Sequence, residues 1–308
     1  MRKLSILILS VLSTFQVFAQ SNLNNKTLFN GHDLSGWIMP GEIPGFEVKD
    51  GVLMAIPPNG SDLFTEEQYG NYIFRFEYFL SEVGNSGVLI RCDPENPWGT
   101  GVEVQLLAPW TPYRDDLHCT ASLYGHVAVT NRPDETTGMW HEMEIMCDRK
   151  NISITVDGIE ATRVNIDTVD SMQDKLLHGS IGFQSNHSKK GEYAYFRNIT
   201  INNLDNDPEY VATGFADQDE RIRKQAMQAA VDLGASMVNR LAIMVEDENI
   251  MKQAGAKQVL FDIVARSTAP DGNLSQQKEL LKALKKSSKS LKSESAKTYM
   301  EWLMEMAG

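Results

Sequence analysis

The hydrophobic pattern of the chain changes once, close to residue 205. From Lys26 to about Asn203, short runs alternate apolar with polar residues, and turn residues separate them every 8 to 15 positions. Many short alternating strands at this spacing are typical of a sandwich or barrel. After Pro208 the chain is rich in Ala, Met, Lys, Gln and Leu. We therefore predict a mainly β domain at residues 20–205 and a small all-α domain at residues 206–308.

Turn residues divide the β part into strands. Asp50-Gly51 and Asp157-Gly158 are typical of two-residue hairpin turns, and the second would join strands at residues 151–156 and 159–164. Two segments without strand character, residues 109–124 and 167–177, are long enough to be functional loops. Further strands are predicted at residues 72–80, 87–91, 101–106, 140–147, 180–183 and 194–201.

Helical spacing marks the second part. Ile222, Ala226 and Leu233 recur with the period of one helix face, and Gly234 stands where that helix would end. The segment at residues 219–226 resembles the segment at residues 247–254. Such self-similarity indicates either stacked helix pairs of the HEAT type or a small irregular bundle, and further helices are expected at residues 274–286 and 288–306. A helical array of this kind is a candidate scaffold for a protein partner.

The first residues have the order of an export signal. Arg2 and Lys3 precede an apolar run that ends at Phe18, and Ala19 follows in a small-residue position. This order predicts a signal peptide at residues 1–19. The run is shorter than the ~20 residues of a membrane-spanning helix, and no Cys stands directly after the expected cleavage point, where a lipid anchor would need one. We therefore expect a secreted or periplasmic protein without a membrane span.

Charge and cysteine content limit the partners and the cross-links. The formal net charge of −12 argues against nucleic acid, because phosphate binding draws its affinity from clustered Lys and Arg. The three cysteines, Cys92, Cys119 and Cys147, allow at most one disulfide, or all three are buried as small apolar side chains.

One predicted strand places polar side chains on an outer face. In residues 101–106, alternation puts three apolar side chains on one face and Glu103 and Gln105 on the other. A carboxylate and an amide on the outer face of a sandwich indicate the floor of a ligand groove. Arg91, on the preceding strand, is expected beside Glu103, where it would lower the pKa of the carboxyl. Arg91 and Glu103 would either both belong to the ligand site or form a cross-strand ion pair that has no other role.

The loop after this strand supplies further candidates. His118 can exchange a proton near neutral pH, and Asp116 could orient it or join it on a metal. Exposed aromatic rings stack on the apolar face of sugars, which makes Trp98, Trp110 and Tyr124 candidates for the rim of a carbohydrate site. Trp37 and Trp140 are expected in the core.

Several short motifs follow one another along the β part: Leu28-Phe29-Asn30-Gly31-x-Asp33-Leu34-x-Gly36-Trp37, Asp50-Gly51-x-Leu53, Gly84-Asn85-Ser86-Gly87-Val88, Gly101-x-Glu103-Val104-Gln105-Leu106, Ile181-Gly182-Phe183-Gln184 and Phe196-Arg197-Asn198-Ile199. In this order they resemble the 3-keto-disaccharide hydrolase domain family over about residues 27–201. The resemblance implies a concanavalin A-like jelly-roll β-sandwich and a carbohydrate substrate that carries a ketone at carbon 3. It also implies site positions at Gln184 and His187, although Asn186 replaces the acidic residue of the family pattern.

A ketone at carbon 3 would allow a single carboxylate to catalyse cleavage of the glycosidic bond. It acidifies the hydrogen on carbon 2, so that the group on carbon 1 can leave by elimination before water adds. Glu103 or His118 would act as base, and Arg91, Gln105 or a bound cation would stabilise the enolate. Direct hydrolysis with Glu103 as acid, and a lectin that binds without cleaving, stay open. No organic cofactor is expected, whereas a divalent cation is left open, with Asp93-Pro94-Glu95-Asn96 as a candidate calcium site.

Overall fold

The computed structural model describes residues 25–55, 60–112, 114–185 and 192–308. It shows a two-layer β-sandwich followed by helices, as the change in hydrophobic period predicts. The predicted signal peptide and His187 lie outside the described residues. Among the described residues, no helix is both long and apolar enough to cross a membrane.

The strands follow the predicted positions closely, and three of them, at residues 72–80, 151–156 and 180–183, have the predicted bounds. The described part of the chain contains β1 (Lys26–Thr27), β2 (Trp37–Ile38), β3 (Phe46–Lys49), β4 (Val52–Ala55), β5 (Leu63–Thr65), β6 (Tyr72–Leu80), β7 (Asn85–Cys92), β8 (Val102–Leu107), β9 (Trp140–Asp148), β10 (Asn151–Val156), β11 (Ile159–Asn165), β12 (Ser180–Phe183) and β13 (Ala194–Asn203).

Two antiparallel sheets form the sandwich. The larger has the order β11-β10-β9-β6-β13-β4-β3, with β1 paired to β13, and the smaller has the order β2-β5-β12-β7-β8. The β10–β11 hairpin closes at Asp157 and Gly158, whose φ angles of 49° and 78° are those a type I′ turn requires. The predicted hairpin is therefore confirmed.

Aromatic rings fill the space between the sheets. Strand β6 directs Phe74 and Phe76 inward, and the ring of Phe183 on β12 lies 5.3 Å from Phe76 and 4.3 Å from Phe196. Trp37 is buried in this core, as predicted. The prediction for Trp140 is wrong, because the alternate residues of β9 point inward from position 141. The Trp140 ring lies on the outer face, 4.0 Å from the Arg197 guanidinium carbon.

The helical part has a hydrophobic core of its own. Its helices and one short helix of the sandwich are α1 (Pro97–Thr100), α2 (Pro208–Thr213), α3 (Glu220–Leu233), α4 (Val238–Met244), α5 (Ile250–Ser267), α6 (Leu274–Ser288) and α7 (Glu294–Ala307). Asp219 caps α3 and Asn249 caps α5 by accepting backbone N–H bonds, so equivalent caps lie 30 residues apart rather than 28. The assignment to HEAT-type repeats stays a prediction.

The helices pack against one end of the sandwich. The Asp205 carboxylate accepts hydrogen bonds from the backbone N–H and the side-chain amide of Asn71, at 3.0 and 2.8 Å. The Tyr210 hydroxyl donates to Asp148 at 2.6 Å. Both contacts lie at the end of the larger sheet where β6 begins and β9 ends.

The cysteines match the second of the two sequence alternatives. Cys92, Cys119 and Cys147 are free thiols, all of them buried. Burial raises the pKa of each thiol, which keeps them protonated and unreactive.

Candidate active site

Strand β8 places Glu103 and Gln105 on the outer face of the smaller sheet. Val102, Val104 and Leu106 belong to the core between the sheets, so the residues between them face the other way. In the antiparallel register with β7, Glu103 lies opposite Leu89 and Gln105 opposite Gly87. The predicted polar face is present.

Two glycines make room on this face. A Cβ atom at Gly87 would lie 2.2 Å from Oε1 of Glu103, and a Cβ atom at Gly182 would lie 2.5 Å from Cδ1 of Phe64. The Glu103 carboxyl therefore lies directly over Gly87, and the Phe64 ring lies over Gly182. Phe64 also contacts Leu89 in a small apolar cluster on the same face. The carboxyl thus lies over a position of the sheet that has no side chain.

Glu103 is a buried carboxyl with a strongly perturbed proton affinity. Only 8% of the residue is exposed. Burial raises its pKa to about 7, the negative charge of Asp62 raises it as well, and a hydrogen bond from the Trp98 indole N–H acts in the opposite direction. A carboxyl that is half protonated near neutral pH suits general acid or base catalysis.

The predicted Arg91–Glu103 ion pair is wrong. Arg91 has a φ of 51°, close to a register shift between β7 and β12, so the alternation that would bring its side chain beside Glu103 is broken. Its Nε donates to the carbonyl of Gly70 at 2.8 Å and its Nη1 to the carbonyl of Arg149 at 2.6 Å. The buried guanidinium therefore links loops at the end of the sandwich. The pKa of Glu103 is accordingly raised and not lowered.

Asp62 is a second carboxyl that the sequence analysis missed. It directly precedes β5, and its Oδ1 accepts the backbone N–H of Ser185 at 2.7 Å. The Ser185 hydroxyl donates to the carbonyl of Gly60 at 2.6 Å, which ties the two segments together. Asp62 is close enough to Glu103 for its charge to raise the pKa of that carboxyl. No local motif marks Asp62, because its position depends on the neighbouring strands β5 and β12.

The two glutamines that the sequence assigned to the site flank Gly87. Oε1 of Gln105 accepts the backbone N–H of Leu106 at 3.0 Å, so the N–H groups of its amide are the donors that could meet a ligand oxygen. The backbone N–H of Gln184 donates to the carbonyl of Gly87 at 2.9 Å, and its carbonyl accepts the Ser86 hydroxyl at 2.7 Å. Both residues are buried.

His118 is oriented by a different acid from the one predicted. Its Nδ1 lies 2.7 Å from Oδ1 of Asp115, whereas Asp116 accepts from the Arg132 guanidinium at 2.6 Å. The prediction that Asp116 orients His118 is therefore wrong, because a turn brings position 115 under the imidazole. The imidazole contacts the Tyr124 ring edge-on at 4.8 Å, and the Tyr124 backbone N–H donates to the Glu103 carbonyl at 2.9 Å. Tyr124 thus connects His118 to the Glu103 strand.

The three candidate rim aromatics are exposed. Trp98, Trp110 and Tyr124 have 49%, 50% and 38% of their surface accessible. Trp98 and Tyr124 contact Glu103 through the indole hydrogen bond and the backbone hydrogen bond, respectively. The Trp98 ring is therefore positioned to meet a ligand that approaches the carboxyl, whereas Tyr124 is joined to the Glu103 strand through its backbone.

Within the described ranges, no group of three or more His, Cys, Asp or Glu side chains is arranged to hold a metal ion. At the segment proposed for calcium, Oδ1 of Asp93 accepts the backbone N–H of Glu95 at 3.0 Å. This contact is a local turn.

Comparison with known proteins agrees with the fold and the motifs. Residues 24–202 match the family model of the 3-keto-alpha-glucoside-1,2-lyase-like domain, which is more than half of the chain. The chain belongs to this family. Two crystal structures of proposed glycosyl hydrolases from Parabacteroides distasonis ATCC 8503 are similar to this member of the 3-keto-alpha-glucoside-1,2-lyase-like family. Both are 23% identical in sequence to this chain and cover 58% of it. The alignment covers 93% of the first structure's own chain at a TM-score of 0.50, and 98% of the second structure's chain at a TM-score of 0.51.

At that identity the two structures establish the fold alone, a jelly-roll β-sandwich of the concanavalin A-like type, as predicted. The comparison with curated proteins gave no match. Family and fold together support a glycosidase-type or carbohydrate-binding protein.

Proposed function

We propose that this chain cleaves glycosides that carry a ketone at carbon 3 of one sugar ring, with Glu103 as the central acid–base group. The observation that carries the proposal is a buried carboxyl with a pKa of about 7, next to exposed aromatic rings, in a member of the 3-keto-alpha-glucoside-1,2-lyase-like family. Such a carboxyl can take a proton from a carbon acid and return it within one turnover.

The reaction is elimination followed by hydration. Ionised Glu103 removes the hydrogen on carbon 2, and the electron pair moves onto the ketone oxygen as an enolate. The enolate then expels the oxygen on carbon 1, which takes up a proton and leaves as the free alcohol. Water adds across the new double bond, with hydroxyl to carbon 1 and hydrogen to carbon 2. The sum is hydrolysis without any change of oxidation state.

The neighbours of Glu103 fit subordinate roles in that sequence. Gln105 can donate an amide N–H to the enolate oxygen. Burial, together with the negative charge of Asp62, raises the pKa of Glu103 so that its carboxylate can act as a base near neutral pH. His118, held by Asp115, is the candidate for the proton that the leaving oxygen needs. Arg91 has no part, because its guanidinium binds the carbonyls of Gly70 and Arg149.

Direct hydrolysis is a second candidate, and Asp62 is the observation that favours it. Ordinary glycosidases use two carboxyl groups, one protonated and one ionised. Glu103 with a raised pKa would be the acid, and Asp62 would be the carboxylate. This route would not require the ketone.

Isotope incorporation distinguishes the two routes. The protein is incubated in deuterium oxide with a 3-keto-glucoside and, in parallel, with the matching glucoside that lacks the ketone. Elimination and hydration place deuterium on carbon 2 of the released 3-keto sugar and leave the plain glucoside intact. Cleavage of both compounds without deuterium on carbon 2 would support direct hydrolysis instead. Reactions without protein and with Glu103→Gln correct for spontaneous exchange at carbon 2.

The same exposed rings would also serve a lectin. Trp98, Trp110 and Tyr124 could bind a sugar that is never cleaved. Titration of the 3-keto-glucoside by calorimetry, with product analysis of the same samples, decides between the two classes. Measurable affinity with unchanged ligand would replace the enzyme proposal by the lectin proposal.

Export and domain division complete the proposal. We place the mature protein outside the cytoplasm, with residues 1–19 removed. We place the boundary between the β domain and the helical domain between residues 205 and 206. Support for the division comes from β13, which ends at Asn203, and α2, which begins at Pro208. N-terminal sequencing of the protein recovered from the periplasm or medium tests the export proposal, since an intact residue 1 would contradict it.

A further inference from the structure

Residues 166–177 lie between the helices and the candidate active site, and we call them the bracing segment. The segment follows β11 and contains two 3-10 turns, Ile166–Thr168 and Asp170–Met172. The sequence predicts a functional loop here without indicating its role. The segment contacts α3 on one side, and α1 and the loop after Tyr124 on the other.

On one side, α3 holds the bracing segment at several points. Nη1 of Arg221 donates to the carbonyl of Gln173 at 3.1 Å, and Nε2 of Gln225 donates to the carbonyl of Leu177 at 3.2 Å. The Lys150 ammonium bridges Asp167 of the segment, at 2.5 Å, and Asp219, the cap of α3. The first two turns of α3 thus fix both ends of the segment.

On the other side, the bracing segment holds α1. Nζ of Lys175 donates to the carbonyls of Trp98 and Gly99 at 2.7 and 3.2 Å, and the Leu176 backbone N–H donates to the carbonyl of Thr100 at 3.0 Å. These are the last carbonyls of a four-residue helix, which would otherwise lack intrahelical partners. The positive ammonium also suits the negative end of a helix.

A second contact reaches the other aromatic loop. Oγ of Ser171 lies 2.7 Å from Nδ1 of His126, two residues after Tyr124. The backbone N–H of Tyr124 in turn donates to the carbonyl of Glu103. The bracing segment therefore contacts the helix that carries Trp98 and the loop that carries Tyr124, which both contact Glu103.

We propose that the helical part orients the aromatic rim of the carboxyl site, with α3 holding the bracing segment and Lys175 acting as the positioning residue for Trp98. The physical reason is that α1 is too short to be stable alone and Trp98 is half exposed, so neither helix formation nor packing fixes the indole. Its orientation then depends on the carbonyls that Lys175 binds. The inference rests on the proposed function for its kinetic readout only.

The test uses the full-length chain and three variants. Lys175→Met keeps the aliphatic stem and removes the ammonium, and Arg221→Met removes the hydrogen bond from α3 to the carbonyl of Gln173 without touching the site. Arg266→Met is the matched control, because this exposed α5 guanidinium pairs with Asp232, 2.6 Å away, inside the helical part. The indole N–H resonance of Trp98, assigned with Trp98→Phe, is followed by nitrogen-15 NMR as a function of pH. The other four tryptophan resonances report whether each variant is folded.

In the wild type the Trp98 resonance should titrate with Glu103, near pH 7. In Lys175→Met and Arg221→Met it should shift or broaden, and its midpoint should move to higher pH as the hydrogen bond to Glu103 weakens. The kcat/KM for a 3-keto-glucoside should fall roughly fivefold in both variants, as expected for one lost hydrogen bond, and stay at the wild-type value in Arg266→Met.

A wild-type Trp98 resonance and titration in both variants would overturn the inference. The two proposals fail separately. If the wild type cleaves no 3-keto-glucoside while the resonance still responds to Lys175→Met and Arg221→Met, the proposed function fails and the positioning role stands. If turnover is normal and the resonance does not respond, the positioning role fails and the proposed function stands.

Discussion

Replacing Glu103 with glutamine should make the protein more stable at alkaline pH. The carboxyl has an ordinary pKa of 4.5 and a folded-state pKa of about 7. A raised pKa means that the fold favours the protonated form, so the wild type loses stability as the pH rises from the unfolded value to the folded value. The pKa difference of roughly 2.5 corresponds to a loss of about 3 kcal/mol in the free energy of unfolding. The full loss applies above about pH 8, and there is no loss below about pH 4.

The neutral amide of Glu103→Gln does not ionise, so the variant avoids this loss. Urea unfolding of the wild type and Glu103→Gln at about pH 4.5, 6 and 8 should give a stability difference that grows with pH toward about 3 kcal/mol in favour of the variant. Glu142→Gln on the exposed face of β9 is the control, since it removes the same charge from a solvated position. A stability difference that is constant with pH, or that favours the wild type at high pH, would refute the assignment of Glu103 as a buried carboxyl with a raised pKa.

Three further substitutions test the surroundings of Glu103. Asp62→Asn removes the neighbouring negative charge, so the pKa of Glu103 should fall and the pH profile of kcat/KM should move to lower pH. Trp98→Phe removes the indole hydrogen bond, and the profile should move to higher pH; a shift of opposite sign in either variant would contradict the assignment. Gly87→Ala would place a Cβ atom 2.2 Å from Oε1 of Glu103. It should cost about 1–3 kcal/mol in urea unfolding and abolish turnover, whereas wild-type values would contradict the described floor.

Much of the fold follows from local patterns. Period-2 alternation predicts β6 and β10 with the observed bounds, because one face of each strand is buried and the other is not. The same alternation predicts that Glu103 and Gln105 share the outer face of β8. Every second residue of a strand lies on the same face, whichever strands pair with it. Helix period predicts α3 for the same reason.

The errors concern features that local patterns do not contain. Arg91 leaves the expected face because a register shift and a positive φ break the alternation at one residue. Asp62 approaches Glu103 only because β5, β12, β7 and β8 are neighbours in the sheet, an order that the sequence does not state. The choice of Asp115 over Asp116 as the partner of His118 depends on the turn in that loop.

The direct test of the central claim is the turnover of a 3-keto-glucoside by the wild type and by Glu103→Gln, with binding measured on the same samples. The account predicts release of the aglycone and a 3-keto sugar by the wild type, and a loss of roughly 100-fold or more in kcat with retained binding in the variant. Equal turnover by the two proteins would contradict the claim that Glu103 is the acid–base group of this site.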